Sequence, residues 1–103
     1  ERRGKTSQER RESTMSQSYY GMDITEVRSL ATQLDQKAEE IEQIITAIGT
    51  KLGTTQWAGP DAFKFRSDWE GPLTGQLRQV SSVLRETATN ARTNATQQEQ
   101  ASA

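Results

Sequence analysis

The side chains best equipped for chemistry in this chain are carboxylates. Glu39, Glu40 and Glu42 crowd one short stretch, and three carboxylates could in principle hold a hard cation. Helical spacing points them in different directions, however, so they read as a solvated face. Histidine and cysteine are both absent, which removes the commonest general bases, thiol nucleophiles and soft metal ligands. Neither a phosphate-cradling glycine loop nor a serine-nucleophile elbow occurs. The residues therefore point to a non-enzymatic protein with no cofactor and no metal. Recognition chemistry is better represented. Gln56-Trp57-Ala58-Gly59 sets a large ring, one residue and a glycine in a row. A tryptophan offers a broad apolar body with a polar N–H, and the glycine lets the backbone bend beside it.

Something must position that tryptophan, and the flanking sequence supplies two strongly periodic segments. The first opens at Asp23-Ile24-Thr25-Glu26, which has the capping-box form, with Met22 and Val27 at the staple positions. Ile24, Val27, Ala31, Leu34, Ala38, Ile41, Ile45, Ile48 and Leu52 then follow at alternating steps of three and four. That spacing draws one apolar stripe on a helix roughly 45 Å long. Leu30 and Ile44 widen it, while Arg28, Asp35, Lys37, Glu39, Glu40 and Glu42 are left to solvent. Gly53 stands where a left-handed carboxy-terminal cap belongs, and Gly49 weakens the last turns.

The second segment begins after Trp57. Pro60 suits a first helical position, and Asp61 places negative charge at the positive end of the helix. Ala62, Phe65, Trp69, Leu73, Leu77, Val80, Leu84, Thr87 and Ala91 recur at steps of three and four, flanked by Phe63 and Val83. Gly71-Pro72 interrupts this helix, because proline lacks the amide its turn needs and crowds the carbonyl of Asp68. A kink near Gly71 is predicted rather than a break, since the apolar phase continues across it. The connection of at most seven residues makes the two helices antiparallel neighbours.

The fold class predicted is all-α: an antiparallel two-helix hairpin that forms a four-helix bundle on dimerisation. Residues 1–18 read as a disordered tail, 19–95 as the hairpin and 96–103 as a second disordered tail. Arg2, Arg3, Lys5, Arg10 and Arg11 balance Glu1, Glu9 and Glu12 in the first tail, and Met15-Ser16 has the form of a natural start. With 103 residues and 31% hydrophobic composition, the chain can bury a narrow seam but not a broad core, so association with another chain is expected. A formal net charge of −1 argues against a nucleic-acid partner. No apolar run approaches the length of a membrane span, and no Sec-type leader follows the basic start.

The Trp57-Ala58-Gly59 turn between two long amphipathic helices resembles the WXG family of early-secreted-antigen-like proteins. The resemblance covers Met15 to about Ala95, and Ala62, Phe65 and Trp69 also look like the family's early second helix. It implies side-by-side pairing of two hairpins and export of the folded pair by a type VII secretion system driven by a membrane-bound ATPase. The implied localisation is thus secreted, without a Sec signal peptide. Trp57 and Gly59 would form the turn motif. Ile24, Val27, Leu30, Leu34, Ile41, Ile44, Ile45, Ile48, Phe65, Trp69, Leu73, Leu77, Val80 and Leu84 would build the seam of hairpin and dimer, with Leu30, Ile44 and Leu77 turned outward. The family's carboxy-terminal export element, Tyr-x-x-x-Asp/Glu, has no counterpart, because no tyrosine follows Tyr20. Tyr19 and Asp23 have that spacing at the other end of the chain; Tyr19 and Tyr20 are expected to pack at the bundle end. The departure favours a heterodimer with a second WXG protein that carries the signal to the ATPase, a homodimer being the other arrangement. Two further readings compete: a helical-hairpin adapter that is never exported, and a membrane-active hairpin. The latter is disfavoured by the acid-rich face of the first helix.

Overall fold

A computed structural model describes residues 22–102, and all regular structure among them is helical. Helix α1 spans Ile24–Thr54, α2 spans Pro60–Asp68, and α3 spans Thr74–Ser102. A π-helical turn, Trp69–Leu73, joins α2 to α3 without a break, so the chain has two arms around the short segment 55–59. The arms lie antiparallel, since Arg28 near the start of α1 bonds Glu99 near the end of α3. The first eighteen residues, with Tyr19 and Tyr20, lie outside the described residues.

Local chemistry explains where the arms begin. The Asp23 carboxylate accepts the Glu26 amide at 3.0 Å, satisfying one donor the first turn cannot pair for itself. At the second start, Gly59 takes φ 111° and ψ 175°, a conformation that side-chain-bearing residues rarely adopt. Its carbonyl receives the Phe63 amide at 3.0 Å, and Pro60 occupies the first helical position as expected.

Two expectations about the ends are corrected. Gly53 is not a left-handed cap; α1 continues to Thr54 and Thr55 is extended. The carbonyls there are satisfied by side chains instead, as shown below, so no left-handed residue is required. At the far end, the polar stretch after Thr96, expected to fray, is helical through Ser102. Arg28 reaches across to both Thr96 and Glu99, which ties that end to α1.

The packing between arms is narrower than the apolar stripes suggest. On α1 the buried residues are Ala31, Ala38 and Ile45, seven apart. On α3 they are Thr74, Ser81, Ala88 and Ala95, also seven apart. Ala62 of α2 is buried as well. A seven-residue repeat keeps one line of side chains on the partner helix. Small side chains along that line let two helix backbones come close. Each buried methyl contributes about 0.8 kcal/mol, and among the described residues Ile45 is the one large aliphatic side chain that is buried.

Candidate interaction site

The seam divides the hairpin surface into two unlike edges. Residues four positions beyond the seam residues form a polar edge. Arg28 pairs with Glu99 at 2.9 Å, Asp35 with Arg92 at 2.8 Å, and Glu39, beside Ala38, with Arg85 at 3.2 Å. Within the seam, the Ser81 hydroxyl lies 3.3 Å from the Ala38 carbonyl and 3.0 Å from a Glu42 carboxylate oxygen. A buried hydroxyl thus finds partners on the opposite helix, as it must to avoid a desolvation cost. The hydrogen bond from Arg28 holds the Glu99 carboxyl below its ordinary range, with the charge of Arg28 adding to the effect. Exposed pairs of this kind contribute little stability, but they fix the register and alignment of the arms.

Residues three positions beyond the seam lie along the other edge, which is largely apolar on α1, with Lys37 set between Leu30 and Ile44, and apolar on α3 as far as Leu84. On α1 it carries Val27, Leu34, Ile41 and Ile48, with Leu30 and Ile44 further out. On the second arm it carries Leu77 and Leu84 of α3, with Leu73 of the π-turn and Val80 and Val83 of α3 further out. Leu30 is 53% exposed, Ile44 50% and Val80 47%. A large aliphatic side chain gives about 1.5–3 kcal/mol when fully buried, and the hairpin covers these three only about halfway.

The sequence-predicted seam residues therefore separate into three groups. Ile45 alone is buried. Ile24, Val27, Leu34, Ile41, Trp69, Leu73, Leu77 and Leu84 are half-buried at the seam's margin. Leu30, Ile44, Ile48, Phe65 and Val80 are exposed. Sequence reasoning missed Thr74, Ser81, Ala88 and Ala95, which are the buried line of α3. Their seven-residue spacing was the available signal, masked by the larger apolar residues at steps of three and four beside it.

On the second arm the displacement begins at the π-turn. Pro72 lacks the amide that an α-helical turn would direct to Asp68, and its ring would crowd that carbonyl. A π-turn relieves both problems by widening the ring of the helix. The Thr74 amide accordingly reaches the Trp69 carbonyl, five residues back, and the Thr74 hydroxyl bonds the same carbonyl. The predicted disturbance at Gly71-Pro72 is present as this wide turn within a continuous helix. The apolar steps of three and four cross it in sequence but not on one face.

The bend itself is organised by Arg66, which sequence reasoning passed over. Its guanidinium donates to the carbonyls of Trp57 at 2.6 Å, Thr55 at 2.9 Å and Leu52 at 3.1 Å. It also lies 5.8 Å from the centre of the Trp57 ring, stacked over it. A cation here meets the negative end of α1 and satisfies carbonyls that a glycine cap would otherwise serve. The Thr55 hydroxyl completes the end by donating to the Lys51 carbonyl at 2.6 Å. Trp57 does not close the apolar seam as expected; it stands 43% exposed under the arginine. Phe65 and Trp69 pack with ring centres 6.1 Å apart on the second arm. Beside them Gly49, Leu52, Gly53, Arg66, Trp69 and Glu70 line a recess of about 120 Å³.

Among the described residues no cluster of three or more carboxylates gathers into a metal-binding group. No described helix is long and apolar enough to cross a membrane. No protein-family model, curated protein or solved structure matches the chain.

Proposed function

We propose that this chain is a non-enzymatic WXG-type hairpin whose work is done in a pair. Its apolar edge packs side by side on a second hairpin of the same kind to make a four-helix bundle, and the folded pair leaves the cell by a type VII secretion route. The observation that carries the pairing is the exposed aliphatic edge around Leu30, Ile44 and Val80, set against a seam of alanine-sized residues. The Trp57-Ala58-Gly59 bend, accessible and rigidly held by Arg66, supports the secretion assignment through its resemblance to that family's turn.

A different chain is the expected partner. The outer margin of α1 carries Glu26 and the Lys37–Glu40 ion pair, whereas the matching margin of α3 carries the uncharged Gln76 and Asn90. A partner with basic or amide residues at its own margin meets Glu26 without like-charge opposition. The complex isolated from its native host should have the mass of two unlike hairpins. Leu30→Asp or Ile44→Asp should dissociate it, because each places an unpaired charge in a dry interface. A pair that survives both substitutions in analytical ultracentrifugation refutes the assigned edge. Secretion is tested separately: the protein should appear in culture supernatant and vanish from it when the export ATPase is disabled. Supernatant levels unchanged by that loss overturn the route.

A further inference from the structure

The second arm carries two helical phases that do not match. Before the π-turn, Ala62, Arg66 and Trp69 face α1: Ala62 is buried, Arg66 bonds the Leu52 carbonyl, and Trp69 lies over Gly49. Counting seven on from Arg66 along an uninterrupted α-helix arrives at Leu73 and then Val80. The buried residues after the turn are instead Thr74 and Ser81. The offset is one residue, which is what a hydrogen bond from the Thr74 amide to Trp69 rather than to Glu70 supplies. Val80 is consequently 47% exposed while Ser81 is 1% exposed.

We propose that the wide turn forced by Gly71-Pro72 is the element that holds the aliphatic residues of α3 on the partner-facing edge and out of the hairpin seam. The inference rests on the reading that a second helical hairpin covers that edge. The same number of residues wound as plain α-helix would carry Leu73 and Val80 inward, with Leu77 and Leu84 beside them. The second arm would then turn much of its apolar surface inward, leaving a partner only the α1 side of the edge. The chain's own chemistry marks the site: a proline that no α-helical interior accommodates without cost, preceded by glycine, at the one point where the phase changes.

Thiol crosslinking reads the phase directly, because the chain has no cysteine of its own. Two double variants are made, Ala38→Cys with Ser81→Cys and Ala38→Cys with Val80→Cys, and treated with a short bifunctional thiol reagent. With the turn intact, the first pair links within one chain and the second does not; the reverse pattern overturns the proposal. Adding Gly71→Ala and Pro72→Ala should transfer the link from the first pair to the second and abolish association with the partner. A link that stays with the first pair overturns the proposal, and so does loss of both links together with the helical circular dichroism signal. Removing Gly71 while changing Pro72→Ala also gives a plain helix, but one residue shorter. It should retain the first link and keep association, and transfer of the link in that variant also counts against the proposal. A chain that is alone in solution before any change refutes the pairing reading, whereas the links still decide the phase.

Discussion

Arg66 is the residue on which the bend depends. One guanidinium serves three main-chain carbonyls and covers the Trp57 ring. Hydrogen bonds to a charged donor are stronger than neutral ones. Arg66→Ala should therefore cost about 1–3 kcal/mol in denaturant unfolding and should shift Trp57 fluorescence toward that of a fully hydrated indole. Lysine cannot rebuild the fork, because it offers a point charge in place of a planar set of donors, so Arg66→Lys should recover only part of the loss. Gly59→Ala should destabilise by about 1–3 kcal/mol for a different reason, the positive φ its backbone holds. What sequence shows at this scale is whatever acts locally. The Asp23 cap was legible because donor and acceptor lie three residues apart. Arg66 was not, because its partners are carbonyls 9, 11 and 14 residues away, and any residue has a carbonyl.

Between the helices, the polar edge makes a prediction in pH. Bonding and charge from Arg28 lower the Glu99 carboxyl below its ordinary value. A carboxyl depressed in the folded state adds stability above its unfolded pKa, and that contribution is lost as pH falls through the folded pKa. The tie between the end of α3 and α1 should thus persist through neutral and mildly acidic solution and loosen only below the usual carboxylate range. Side-chain NMR titration should place the Glu99 midpoint below that range and return it there in Arg28→Gln. An unchanged midpoint removes the pairing as the cause. The two arms were legible as helices, including the antiparallel turn between them, since their apolar periodicity and start signals are strong. The line along which they touch was not. Apolar size marks where burial is most favourable, whereas Thr74, Ser81, Ala88 and Ala95 are buried because they are small. On the second arm a π-turn also intervenes, and a count of steps in sequence does not register a turn of different width.

For the molecule as a whole, seam and edge should fail independently. Ala88→Leu forces a large side chain between closely packed backbones and should destabilise the hairpin by about 1–3 kcal/mol, seen as a lower midpoint in urea. Ile44→Asp should leave the helical content of the isolated chain nearly unchanged, because Ile44 is 50% exposed there, while removing the partner from the complex. A variant that loses helix and partner together at Ile44 would mean that edge and seam are one structure.

A line of alanines between two long helices also decides how this protein should behave when diluted. Few large groups are sealed inside one chain, so on the proposed pairing a partner that covers the edge adds stability to the lone hairpin by mass action. The temperature at which helical signal disappears should climb with the concentration of the assembled species and fall toward a low plateau as the solution is thinned. A curve independent of concentration would belong to a chain that needs no one else.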